Sequence, residues 1–163
     1  GLDNRPDVAG AYPVFGWGHG YAATFGGIGG GTHTVCAYGI NVGAGTNALA
    51  GCRTVTSSGV PFGSLDAASA ASGGTKVTIA GWAIDPDTTG PLAVHVYVDG
   101  VGAAILTANG PRPDVAAAFP PYGAAHGYGA TIAGLAPGAH RVCAFAINVG
   151  SGAVNPELGC AVV

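Results

Sequence analysis

GAHRVCAFAINVG, from Gly138 to Gly150, has a counterpart earlier in the same chain: Gly31 to Gly43 reads GTHTVCAYGINVG. The two lie at a constant offset of 107 residues, and the match extends outward at that offset. Arg5 to Val8 and Arg112 to Val115 both read RPDV, and HGYAAT from His19 lies over HGYGAT from His126. After a one-residue insertion in the second copy, Gly51-Cys52 meets Gly159-Cys160. More than half of the positions from Arg5 to Cys52 are identical, so two copies of one folding unit are present.

The offset exceeds the length of either matched segment. Between them lies Val60 to Pro111, with KVTIAGWAIDPDTTG, LAVHVYVDG and VGAAILTA, and nothing before Arg5 corresponds to it. The expected organisation is therefore a complete module over 60–163 preceded, over 1–59, by the back half of another. The half-module is then either an edge left by cutting inside a tandem array or a unit completed by a neighbouring chain. The 163 residues contain no methionine, which fits a processed or excised piece of something longer.

Period-two patterns dominate, and helix has little support. Val94, Val96 and Val98 alternate with Ala93, His95 and Tyr97, and Asp99-Gly100 supplies a tight hairpin turn before a return strand at Ala103 to Thr107. Further strands are expected at Leu65 to Ala71, Val77 to Ile84, Tyr128 to Ile132, Arg141 to Val149 and Cys160 to Val163. Seven short strands in about 100 residues predict an all-β fold of immunoglobulin-like β-sandwich repeats. The strand after His140 is apolar on both faces and should be interior. Its Ala/Gly face suits either a thin core or close packing against a second module.

Four cysteines fall at equivalent places, and the repeat selects Cys36 with Cys52 and Cys143 with Cys160. Two such bonds in a short chain point to an oxidising, extracellular setting, secreted or at the cell surface. Glycine and alanine supply 31 residues each and charged residues only 8%, yet mean hydropathy is +0.43, which excludes disorder as the main state. A single lysine makes nucleic acid a poor partner, and no apolar run is long enough for a membrane span.

Residues able to carry chemistry are few. His19/His126 and His33/His140 recur in both copies and read as structural, with the GxHxV histidine bonding a turn carbonyl. Glu157 is the only glutamate, with no second acid tied to it, and no GxSxG elbow occurs, so catalysis is not expected. Asp85-Pro-Asp87 resembles the opening of a calcium loop but lacks a closing acid, and an Asx turn accounts for it without metal. No cofactor is expected. The Arg5/Asp7 and Arg112/Asp114 pairs should fix a loop. Tyr12, Phe15, Trp17 and Tyr21 in one copy, with Phe119, Tyr122 and Tyr128 in the other, form an aromatic loop that serves either as a contact surface or as cover for a sandwich edge.

With GWAIDPDTTGPLAVHVYVDG, RPDVAAAFPPYGAAHGYGAT and HRVCAFAINVGSGAVNPELGC in view, the full module resembles a repeat found in large secreted proteins of actinobacteria. Such repeats often stand in tandem, sometimes beside cell-wall hydrolase domains. The resemblance implies a non-catalytic extracellular module. Two functions follow as expectations: a structural or interaction repeat of a cell-surface stalk, adhesin or fibre, self-associating or packed on neighbouring modules through inter-chain strand complementation; or a module binding cell-wall polysaccharide for a secreted hydrolase.

Overall fold

A computed structural model describes residues 2–71 and 73–163; Gly1, at the head of the expected half-module, and Ser72 lie outside the described residues. The first part of the chain runs through β1 (Leu2–Asp3), helix α1 (Pro6–Ala11), β2 (Gly20–Tyr21), β3 (Gly31–Gly39) and β4 (Ala48–Ser57). It continues through β5 (Phe62–Ala71), β6 (Lys76–Ile84), β7 (Ala93–Val98), β8 (Val101–Thr107) and β9 (Gly110–Pro111). Helix α2 (Pro113–Ala118), β10 (Ala125–Ala133), β11 (Arg141–Ala146) and β12 (Glu157–Val162) complete it. The fold is mostly β, and every strand pairing is antiparallel.

From β5 onward the strands form two four-stranded sheets, ordered β5-β6-β10-β9 and β12-β11-β7-β8. Both contribute to one core. Val77 and Ile79 of β6 meet Val94, Val96 and Val98 of β7 and Val142, Ala144 and Ala146 of β11, all buried. Alternation places these residues on one face of each strand, and each fully buried valine contributes roughly 1.5–3 kcal/mol relative to exposure. The Ala face of β11 is thus core, and β11 lies between β12 and β7 as an interior strand should. Asp99 and Gly100 both take positive φ, 51° and 81°, as the two-residue turn joining β7 to β8 requires.

The first part of the chain repeats the geometry of the second. Asp3 pairs with Gly20 as Gly110 pairs with Gly127, and Cys36 with Cys52 as Cys143 with Cys160. Even the register shift recurs, after Ala37 in β3 and after Ala144 in β11. What differs is partnership. β10 is nine residues long and pairs with β6 over seven of them, whereas its counterpart β2 stops after two, and residues 22–30 carry no strand. A strand needs a neighbour to bond, and the 2–57 segment contains no counterpart of β5 to β8. β3 and β4 accordingly stand as a two-stranded sheet.

Two short helices depart from the helix-free expectation. Both start inside the RPDV motif, with its arginine at the N-cap and its proline at the first helical position, where the missing N–H costs nothing. At six residues they are too short to display an apolar period, which is why pattern reading passes over them.

Candidate functional site

The aromatic positions behave differently in the two copies. In the second copy Phe119 packs on Phe62 and Trp82, with ring centroids 5.2 and 5.5 Å away. Tyr122 meets His126 edge-on, and Tyr128 is 5% exposed while its hydroxyl donates to Ser64 O at 2.9 Å. Burial, reinforced by Asp66, pushes the Tyr128 phenol upward. His126 is buried with Nε2 near Tyr122 O and Nδ1 near Ala83 O. Every one of these long-range partners, Phe62, Ser64, Trp82 and Ala83, comes from β5 or β6.

In the first copy the local contacts survive and the long-range ones are missing. His19 Nε2 lies 2.7 Å from Phe15 O, the same four-residue contact that His126 makes with Tyr122. Yet Tyr12, Phe15, Trp17 and Tyr21 are all exposed, Tyr21 at 71%. Val35 is 38% exposed where its counterpart Val142 is 0%. Tyr21, Phe25, Ile28, Val35 and Val55 line an open groove of about 610 Å³ beside the Cys36–Cys52 disulfide. A contiguous exposed apolar surface of this kind is uncommon on a soluble monomer.

Polar groups show the same contrast. Arg112 holds Asp114 through two hydrogen bonds and reaches Asp66 at 2.7 Å. Arg5 makes the same fork with Asp7 and has no third partner among the described residues. These forks hold the Asp7 and Asp114 carboxyls down to about 2. His140 contacts Ala136 O through Nε2 at 2.7 Å and Asp99 Oδ2 through Nδ1 at 2.6 Å; Asp99 Oδ1 also accepts from the Arg141 amide. The Asp99 contact raises the imidazole, and the imidazole in turn lowers the Asp99 carboxyl. Among the described residues, the His33 ring hydrogen-bonds the carbonyl four residues back, Gly29 O at 3.1 Å, and has no counterpart of the Asp99 contact.

The loops after β3 and β11 are built alike. The Asn148 amide donates to Asn155 Oδ1 at 2.9 Å, and Asn41 to Asn47 Oδ1 at 3.0 Å. Asp85, fully buried, accepts from the Asp87 amide with one oxygen and from the Val149 amide with the other. Asp87 accepts from the amide and hydroxyl of Ser151, which lower its carboxyl below the usual range. In the Asp85-Asp87 pair this leaves Asp87 Oδ1 as the one oxygen without a partner among the described residues, against the six to eight ligands calcium takes. Cys143, Cys160 and Glu157 lie close together, but both sulfurs are in the disulfide.

A second surface, which sequence reading missed, lies on the face of the β12-β11-β7-β8 sheet away from the core. His95, Tyr97, Arg141, Phe145 and Asn155 line an open cleft of about 390 Å³, with Tyr97 and Phe145 in edge-to-face contact at 5.6 Å. Its one sequence signal was alternation: the residues between the buried valines of β7 share this face. No helix among the described residues is long and apolar enough to cross a membrane. Scans against protein-family models, curated proteins and solved structures find no match to this chain.

Proposed function

We propose that this chain is a non-catalytic, extracellular structural or interaction repeat, built on immunoglobulin-like β-sandwich modules of the kind found in tandem in secreted actinobacterial proteins. Residues 60–163 form a complete module, and 1–59 form a back half whose open face accepts strands equivalent to 60–110 from another polypeptide segment of the same kind. The setting would be a cell-surface stalk, adhesin or fibre. The carrying observation is the contrast at matched positions: Tyr21 and Val35 lie exposed where Tyr128 and Val142 are buried under β5 to β8. Two disulfides support an oxidising compartment. Hydrogen exchange on the isolated chain, together with its solution mass, tests the reading. Rapid exchange in β3 and β4 beside a protected β11 and β12 is expected, and a monomer protected equally in both halves would overturn it.

A second reading, carbohydrate or cell-wall binding, draws on the Tyr97–Phe145 cleft, where aromatic edges stand beside Arg141, His95 and Asn155. Such a mix of ring faces and polar groups suits a sugar. Retention on peptidoglycan or arabinogalactan, lost in Tyr97→Ala, would favour it over the first.

A further inference from the structure

The complete unit shows how its back half recognises its front half, and the acidic contacts make a pattern. Three aspartates reach across. Asp66 of β5 meets Arg112, Asp85 after β6 meets the Val149 amide, and Asp99 in the β7–β8 turn meets His140 and the Arg141 amide. The receiving groups recur in the first copy as Arg5, the Val42 amide and His33. They are already poised. Arg5 is held by the same fork to Asp7, His33 by the same carbonyl contact, and the loop carrying Val42 by the same Asn–Asn bond. Arg5 is 52% exposed where Arg112, with Asp66 in place, is 24%. Asp87 lies near His33, but its carboxylate is already bound to Ser151. Net charge agrees: residues 60–111 hold four aspartates against one lysine, whereas 1–59 hold two aspartates balanced by two arginines.

Building on the complementation reading, we infer that the open half is a receptor for the front half of a like repeat, selected by three aspartates that Arg5, His33 and the Val42 amide read. The occupant is an acidic four-strand segment with aspartate at the positions of Asp66, Asp85 and Asp99. It comes from a separate like repeat and not by exchange between copies of this chain, since each copy has one such segment and two halves that use it. The apolar groove supplies affinity, and charge-assisted hydrogen bonds supply the choice of partner. A contact that Ser151 makes through its hydroxyl is absent here because Ala44 stands in its place, so the Asp87 position discriminates less than the other three.

The test joins a second copy of residues 60–108 directly to Leu2 of the whole chain. Leu2 corresponds to Asn109 at the repeat offset, so this restores the spacing of the complete unit. Amide exchange in β3 and β4 should slow by about 100-fold, toward that of β11 and β12. Asp66→Asn, Asp85→Asn and Asp99→Asn in the added segment should each return about 10-fold of that gain. Arg5→Gln with His33→Gln on the receiving side should do the same, which decides the matter if an asparagine variant of the added segment fails to fold. Protection that rises but ignores all of these changes would overturn the aspartate selection and leave complementation standing. No rise in protection with the unaltered segment would overturn both.

Discussion

The internal duplication allows one substitution to be made twice, in the same local sequence, with and without a covering sheet. Val142→Ala and Val35→Ala remove the same two methyl groups from paired strands that share a register. At Val142, fully buried, the transfer term is about 1.6 kcal/mol at ~0.8 kcal/mol per carbon. Incomplete collapse around the missing methyls adds about 1 kcal/mol. A module of about 100 residues has an unfolding entropy near 0.2 kcal/mol/K, so a loss of about 2.6 kcal/mol lowers Tm by about 13 °C. At Val35, 38% exposed and lining an open groove, the same change should cost under about 0.5 kcal/mol and leave the main transition in place. Calorimetry on the two variants reads the difference directly. Equal shifts would refute the reasoning, because they would mean that the first hairpin already shares the cooperative core.

The disulfides provide a parallel contrast. Closing 16 or 17 residues contributes about 3 kcal/mol in either copy on chain entropy. Replacing both Cys143 and Cys160 by alanine should therefore lower the main Tm by over 10 °C, whereas Cys36→Ala with Cys52→Ala should leave it unchanged. Tyr128→Phe strands the Ser64 carbonyl and should cost about 1–2 kcal/mol, while Tyr21→Phe should cost nothing measurable by the same melt. The Asp99–His140 contact predicts a pH window. Asp99 is lowered, so its contribution is present above the ordinary carboxylate value and fades as pH falls below it. His140 is raised, so its contribution is complete below the ordinary imidazole value and fades as pH rises through the raised one. Their joint contribution is therefore greatest between about pH 4 and 6.5. Asp99→Asn, which tolerates the positive φ, should lower Tm inside that window and lessen its fall on either side relative to the parent; parallel curves would remove the pair from the account.

Much of this organisation is legible before any coordinates. The Val94-Val96-Val98 alternation and the Asp99-Gly100 turn are local signals, and the fold honours both because they agree with the core. The disulfide pairing follows from the repeat, since bonding each cysteine to its partner closes the same loop in both copies. The cross-repeat contacts are different. Asp66 and Arg112 are 46 residues apart, Asp85 and Val149 are 64, and no periodicity links them. Asp99 reads locally as a turn former, and nothing in Asp-Gly announces that its carboxylate also grips His140. The aromatic loop remains ambiguous in sequence for a physical reason: the same residues are cover in one copy and bare surface in the other. Their role is decided by whether β5 and β6 are present, and the loop's own sequence does not encode that.

The count of halves constrains assembly further. Suppose residues 60–111 of one copy leave their own back half and settle on the 1–59 face of another. The apolar area covered at the new site is lost at the old one, because the two faces share the same strand register and the same disulfide. The net gain in burial is close to zero, and it tilts toward the original site, where Ser151 gives Asp87 a hydroxyl that Ala44 lacks. Association meanwhile costs an estimated 4–15 kcal/mol in lost translational and rotational freedom. Strand exchange between copies of this chain is therefore uphill, and a head-to-tail fibre made by exchange alone has no driving force. A segment whose front half is not already committed faces no such cancellation, since every apolar residue it covers is newly buried. Directional growth then requires units with complementary open ends, one offering a front half and one a back half. In such a scheme the acidic front and the Arg5/His33 back make the two ends chemically distinct, which orients each joint and disfavours the pairing of like ends.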